Sequence, residues 1–280
     1  MSRLFDRIVI VDWSGAARPA TGANAIWIGD AGPGAVAPFN PPTRAAAVAA
    51  LRAVMEKARA LGERLLLGFD FPFGWPTGFA ARLCGPGADW RALWRALTGE
   101  IRDGDDNDNT AHVWAASANA RYAAPGPFWG RPRADAPTPV KKRYAYDEIS
   151  QWRACERRAR ARLNAKPKSC WQLAYAGGVG AQALLGVRRV AELRDAAPDG
   201  AIWPFETGWR APETRPGGVV FAEVYPSLFD EAAVEGPKDA RQVAGTSAAL
   251  AARDADGALT PLFDCVDETL RRPVEREEAW

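Results

Sequence analysis

Apolar residues along the chain gather into short runs that predict β-strands. The β-branched run RIVIVDW at 7–13 is typical of a central strand, and the alternation of NAIWIGD at 24–30 predicts a second strand. GAVAPFN at 34–40 follows a short Gly-Pro turn and predicts a third strand. RLLLGFDFP at 64–72 is apolar on both faces and predicts a fourth strand, and VVFAEVYP at 219–226 predicts a fifth.

Two stretches have the composition and the end signals of long helices. Thr43 is a candidate N-cap for RAAAVAALRAVMEKARAL, a segment of helix formers that ends at Gly62. A second helix begins after Pro237 and closes at Gly257. The order of three strands, a helix and a further strand predicts an α/β fold with a mixed five-stranded sheet flanked by helices.

The middle of the chain differs from both ends in composition. Residues 77–215 are rich in Trp, Arg and Pro, and helical pieces alternate there with Pro/Gly-rich loops. We therefore expect a sheet core formed by 1–76 and 216–280, with 77–215 as a large, mainly helical insertion between strands 4 and 5. The acidic turn DGDDNDN at 103–109 lacks the full EF-hand spacing, so we expect a solvated loop there.

Composition excludes several classes of protein and of site. The 280 residues are 48% hydrophobic and carry a net charge of only +2, which indicates a folded protein with no overall bias toward nucleic acid. We see neither a cleavable leader nor a long apolar segment, so we expect a cytoplasmic chain with no membrane partner. Four scattered cysteines indicate reduced thiols, and a single histidine, His112, disfavours Ser-His-Asp hydrolysis and multi-histidine metal sites. The oligomeric state is left open.

Acidic residues lie at or near the ends of three predicted strands. They are Asp12 in VIVDWSG, Asp70 in LLLGFDFPFG and Glu223 in FAEVYPS, and Asp239 opens the last helix. Ligands of open α/β sheets bind at the carboxyl ends of strands, so these acids are expected to converge. A carboxylate cluster persists mainly when divalent cations neutralise it, and all-oxygen ligands favour Mg²⁺ or Mn²⁺. Taken singly, Asp12 is also explained as a turn former, and Asp70 as an acceptor for backbone amides.

Four segments resemble one protein family. VDWSGA, GFDFPFGWP, AEVYPSLF and KDARQV are similar to the DUF429-type family of the ribonuclease H-like superfamily, in a subgroup sometimes labelled molybdopterin guanine dinucleotide synthesis protein. The resemblance implies a ribonuclease H-like fold with Asp12, Asp70 and Glu223 at metal-binding positions. It also implies a fourth acid on the final helix, for which Asp239, Asp254 and Asp256 are the candidates.

A glycine-rich stretch, GGVGAQALLG at 177–186, follows two lysines. Lys166, Lys168 and Ser169, together with the backbone amides of Gly178 and Gly180, form a candidate anion site near a helix N-terminus. The alternative is a tight turn in which the glycines only permit close packing.

The predicted insertion is locally basic. Segment 152–168 has five arginines and two lysines against one glutamate, and further basic residues lie at 131–143. Such a segment is typical of a phosphate-backbone surface with neighbouring aromatic residues for base stacking, or of an ordinary solvated helix face.

Two functions follow from these features. The first is a divalent-metal-dependent hydrolase of phosphoesters in nucleic acid or a nucleotide, which uses Asp12, Asp70, Glu223 and Asp239. The second is a non-hydrolytic protein that binds or handles an anionic ligand of the nucleotide or molybdopterin type on the same fold.

Overall fold

A computed structural model describes residues 3–34 and 37–280. The chain divides into two compact units. The first, unit 1, contains 1–71, 105–107 and 189–268, and the second, unit 2, contains 72–104, 108–188 and 269–280. Unit 1 carries the sheet, and unit 2 consists of helices joined by long loops, the longest of which occupy 120–153 and 163–179.

Unit 1 is built on a five-stranded mixed sheet. The strands are β1 (Arg7–Asp12), β2 (Trp27–Asp30), β3 (Leu65–Phe69), β4 (Gly200–Ile202) and β5 (Val219–Glu223), in the order β2-β1-β3-β5-β4. β2 is antiparallel to β1, and the other three neighbouring pairs are parallel. Strands β1, β3 and β5 are almost wholly buried, which explains their continuous apolar runs.

The helices are α1 (Arg44–Leu61), α2 (Phe79–Cys84), α3 (Trp90–Glu100), α4 (Ala111–Asn119), α5 (Ala154–Arg162), α6 (Gly180–Asp195), α7 (Lys238–Ala255), α8 (Thr260–Phe263) and α9 (Glu268–Pro273). Short 3-10 and π turns occupy Pro226–Leu228 and Val274–Glu278. None of the helices within 3–34 and 37–280 is long and apolar enough to cross a membrane.

The capping signals at α1 are confirmed. The Oγ1 atom of Thr43 accepts a hydrogen bond from the backbone N–H of Ala46, and Gly62 ends the helix with a φ of 70°. Ala47, Leu51, Met55 and Ala58 follow helical spacing and are buried.

The predicted third strand is not a strand of the sheet. Residues 35 and 36 of that prediction lie outside the described residues, and Phe39 forms only an isolated bridge with Ile28. The sheet still has five strands, because β4 (Gly200–Ile202) takes the place of the predicted third strand. The sequence predicts these residues to lie in the insertion. Three residues bounded by loops are too short to produce an alternating pattern, so only their pairing with β5 identifies the strand.

The boundaries of the units also differ from the predicted core and insertion. Residues 189–215 belong to unit 1, and 269–280 belong to unit 2. The second difference has a local cause at Glu278, whose carboxylate accepts hydrogen bonds from the Oγ1 atom of Thr77 at 2.8 Å and from the backbone N–H of Ala154 at 2.6 Å. Arg153, itself paired with Glu156, donates to the backbone carbonyl of Glu278 at 2.8 Å.

The core of unit 2 is an aromatic cluster around Phe79. The ring of Phe79 lies 4.8 Å from Trp171, 5.7 Å from Phe128, 6.0 Å from Trp75 and 6.4 Å from Tyr122, measured between centroids. The contacts with Trp171 and Phe128 are edge-to-face, an arrangement that packed aromatic rings favour. Much of the tryptophan content of this segment is therefore structural.

Candidate functional site

Sheet register brings Asp12 and Asp70 side by side. Val11 pairs with Phe69 in the parallel β1–β3 ladder, and the backbone N–H of Asp70 donates to the carbonyl of Val11 at 2.9 Å. The next residue of each strand is therefore an aspartate at the same level. Residues in register on parallel strands point to the same face of the sheet, so the two carboxylates emerge together.

That face is the one on which α7 packs. A Cβ atom at Gly29, the partner of Ile10, would lie 2.7 Å from the backbone of Val243, so glycine permits the close approach of α7 to the sheet. Asp239 in the first turn of α7 reaches the same edge, where its Oδ2 atom accepts a hydrogen bond from the backbone N–H of Asn24 at 2.7 Å. Asn24 has a φ of 59° in the loop between β1 and β2.

The side chain of Glu223 is out of register with those of Asp12 and Asp70. Its register partner is Phe69 rather than Asp70, and the backbone N–H of Val224 donates to the carbonyl of Phe69. Strand alternation therefore directs Glu223 to the face opposite Asp12 and Asp70, at the extreme end of β5. Glu223 still lies within electrostatic range of Asp70.

We call Asp12, Asp70, Glu223 and Asp239 the acidic site. All four side chains are half-buried. Burial raises the pKa of Asp12 well above its usual value, and the charges of Asp70 and Asp239 raise it further. Burial, with the charges of Glu223 and Asp239, raises the pKa of Asp70 to about 7. Electrostatic interactions therefore connect the four acids for which the sequence predicts convergence.

Asp12 and Asp70 have no neutralising partner in 3–34 and 37–280. Among the described residues, neither carboxylate accepts a hydrogen bond or forms an ion pair. Two interacting carboxylates without a cationic partner are costly in a partly buried position. The turn-former and amide-acceptor explanations for these two residues therefore have no hydrogen bond to support them.

The donor set suits a hard divalent cation in a water-rich site. Within 3–34 and 37–280, no group of three or more acidic, histidine or cysteine side chains is placed so that it could hold a metal ion. Mg²⁺ commonly binds through only one or two carboxylates and retains several waters, so the adjacent Asp12 and Asp70 are a fitting pair. Asp239 and Glu223 flank that pair.

A buried arginine fixes the loop that follows β1. The Arg44 side chain is fully buried, and its guanidinium donates to the backbone carbonyls of Ser14 at 3.1 Å, Ala16 at 2.7 Å and Asn107 at 2.8 Å. Asn107 returns a hydrogen bond from its side-chain amide to the carbonyl of Arg18. Arg44 therefore positions the segment directly after Asp12.

The acidic turn at 103–109 is not simply a solvated loop. Asn107 is 2% exposed with a φ of 70°, and Asp103 is 8% exposed. The prediction of a solvated loop was wrong for these two residues: Asn107 accepts hydrogen bonds from the buried Arg44, and Asp103 forms an isolated bridge with Asn109. The sequence does not reveal the contact between Arg44 and Asn107, because Arg44 looks like any arginine in the first turn of a helix.

The glycine loop has a packing explanation. The backbone N–H of Gly180 donates to the carbonyl of Gln172, and that of Gly178 donates to Tyr175, so both amides are already used. A Cβ atom at Gly180 would lie 2.6 Å from the carbonyl oxygen of Cys170. The close-packing alternative therefore accounts for both glycines.

The side chains predicted around this loop are divided between packing and solvent. The Ser169 hydroxyl is 2% exposed, donates to Gln151 and accepts from Trp171, whereas Lys166 and Lys168 are exposed. An anion site built from Lys166, Lys168, Ser169, Gly178 and Gly180 stays a prediction, and the two lysines are the members free to make it.

Comparison of the chain with protein-family models, with curated proteins and with solved structures found no match.

Proposed function

We propose that this chain is a divalent-metal-dependent phosphoester hydrolase of nuclease-like type, built on a ribonuclease H-like sheet. The sheet order β2-β1-β3-β5-β4, with one antiparallel edge strand, is compatible with that fold. The observation that carries the proposal is the pair Asp12 and Asp70, adjacent in register, mutually repelling and without a cationic partner among the described residues.

Asp12 and Asp70 would hold Mg²⁺ or Mn²⁺ directly. Both residues are half-buried rather than fully enclosed, which leaves room for a cation that keeps part of its water shell. When bound, the cation supplies Lewis acidity at a phosphoryl oxygen and lowers the pKa of a coordinated water. The remaining roles fall to side chains of the protein.

Asp239 and Glu223 would complete the site from two sides. Asp239 interacts electrostatically with both Asp12 and Asp70, so its removal should weaken cation binding at the whole pair. Glu223 interacts with Asp70 from the opposite phase of the sheet, which suits a residue that orients a water or substrate at the rim. Asp239 is therefore ranked above Glu223 as a cation ligand, a reversal of the order inferred from the sequence.

The substrate class is nucleic acid or a nucleotide. A phosphoester carries its own negative charge into a site of four carboxylates, so it can approach only when the acids are neutralised. Entry of the scissile phosphoester into the acidic site and its hydrolysis should therefore share one metal dependence.

Cation binding and hydrolysis are tested together. We expect the purified chain to bind Mn²⁺ in titration calorimetry and to cleave a member of a panel of single-stranded and duplex nucleic acids and nucleotides. Asp12→Asn and Asp70→Asn should each abolish both properties, Asp239→Asn should weaken both, and Asp199→Asn is the control at an exposed acid of the same unit. Unchanged Mn²⁺ affinity in folded Asp12→Asn and Asp70→Asn would refute the proposal.

Metal binding without turnover on any substrate would instead favour the second function, a protein that binds an anionic ligand. In that case nucleotide or pterin phosphates should stabilise the chain against thermal unfolding in the presence of chelator.

A further inference from the structure

Charge in this chain is strongly segregated. Residues 131–178, all within unit 2, contain twelve basic and four acidic side chains, a net charge of +8. The rest of the chain contains 24 basic and 30 acidic side chains, a net charge of −6. The near-neutral total of +2 therefore conceals a locally basic surface.

Most cations of α5 and the segment after it have no carboxylate partner. Glu156, the one acid of 152–168, is buried and paired with Arg153 at 2.9 Å. Arg158, Arg162 and Lys166 form no ion pair with any described residue. Positive charges left unpaired on one short helix repel each other and are available to an anionic partner.

Two hydrogen bonds link the segments that neighbour this helix. The Ser169 hydroxyl donates to the carbonyl of Gln151 at 3.1 Å, so Lys168 lies next to the start of the α5 region. The Lys168 side chain lies against the glycine loop at Gly177. A Cβ atom added to Gly177 would be 2.4 Å from the Cε atom of Lys168 and 3.0 Å from its Nζ atom. The Tyr175 hydroxyl in turn donates to the carbonyl of Val140, beside the basic tripeptide 141–143, at 3.3 Å.

Two aromatic rings lie among these cations. The Arg160 guanidinium lies 4.6 Å from the centroid of the Trp152 ring, and Arg157 donates to the backbone carbonyl of Trp152. Tyr175 is 43% exposed and holds a φ of 74°, a left-handed conformation that is rare for a bulky residue. The protein therefore keeps an aromatic ring at the surface at a conformational cost, which is typical of functional positions.

We propose that the basic face, formed by 141–143, 157–168, Trp152 and Tyr175, binds single-stranded nucleic acid. Unpaired cations alternate there with an exposed Tyr ring and an Arg–Trp stack, and a single strand offers both free phosphates and unstacked bases. A duplex would leave the rings without bases to stack on. An anionic membrane would need an apolar face on α5, whereas its apolar residues are only alanine and cysteine.

This binding activity lies wholly in unit 2 and does not depend on the acidic site. It extends the proposed function by naming a class of polymer, and it can be measured in chelator, where no metal-dependent cleavage occurs. Failure of one proposal is therefore separable from failure of the other.

The test is fluorescence anisotropy with labelled single strands of DNA and RNA about 15 nucleotides long, a length typical of single-strand binding sites, in EDTA. The double variant Arg158→Ala/Arg162→Ala should weaken binding at least tenfold. It should also reduce the slope of log affinity against log salt by about 1.4, since each lost phosphate contact removes about 0.7. Tyr175→Asn, which tolerates the left-handed backbone, should weaken binding about fivefold or more with an unchanged slope.

Two controls make the result specific. Lys57→Ala/Arg253→Ala removes from unit 1 two exposed cations that form no ion pair with any described residue, and it should leave binding unchanged, as should Asp199→Asn at an exposed acid of unit 1. Equal affinity for a duplex of the same sequence, tighter binding to phosphatidylserine vesicles, or equal losses in the Lys57/Arg253 control would each overturn the proposal. So would wild-type affinity in folded Arg158→Ala/Arg162→Ala.

Discussion

Asp70→Asn should stabilise the metal-free protein at alkaline pH. Burial and neighbouring acids raise the pKa of Asp70 from 3.8 to about 7 in the folded state. The folded chain therefore keeps a proton that the unfolded chain releases, so stability falls as pH rises from about 4 to about 7. One pKa unit corresponds to about 1.4 kcal/mol, so the ionised carboxylate destabilises the folded state by about 2 to 4 kcal/mol, the lower value allowing for solvent near the half-buried side chain.

The assay is urea unfolding in EDTA at several values between about pH 4 and pH 8, followed by tryptophan fluorescence. The wild-type protein should lose stability as the pH rises across this range. The pKa of Asp12 is also raised in the folded state, so its ionisation contributes a loss of the same sign as that of Asp70. Asp70→Asn should flatten the profile and should exceed the wild type by about 2 kcal/mol or more at pH 8. Added Mg²⁺ should reverse the ranking, since only the wild type gains free energy from the bound cation.

The matched control is Asp199→Asn, which neutralises an exposed acid of the same unit and should change stability by less than about 0.5 kcal/mol at any pH. If Asp70→Asn is no more stable than the wild type at pH 8 in EDTA, Asp70 is not in electrostatic conflict with its neighbours. The electrostatic basis of the proposed cation site would then be lost.

Two substitutions test the contacts that hold each unit. Arg44→Met leaves buried carbonyls without donors and should cost about 3 kcal/mol or more in urea unfolding, whereas Arg52→Met at an exposed ion pair should cost under about 1 kcal/mol. Equal losses would remove the assigned role of Arg44. Phe79→Ala empties the centre of the aromatic cluster and should lower the free energy of unfolding by about 3–5 kcal/mol. The control Val113→Ala, at a 57% exposed site, should be nearly neutral. A small loss for Phe79→Ala would mean that the cluster does not support unit 2.

The sequence determined the elements that are long and periodic. The apolar β-branched run of β1 and the capped helix α1 were identified because burial and end-capping leave a regular signal over many residues. The acids at the ends of β1, β3 and β5 were found for the same reason, since a charge interrupts an otherwise apolar run.

Tertiary structure alone decided how these pieces meet. Register decided that Asp12 lies beside Asp70 while Glu223 is one residue out of phase, because a shift of one residue turns a side chain to the other face of a sheet. Pairing decided that three residues at Gly200–Ile202 are a strand, since so short a run has no periodicity of its own. Contacts between residues far apart in sequence, such as Arg44 with Asn107 or Tyr175 with Val140, leave no local pattern, and only the folded chain shows them.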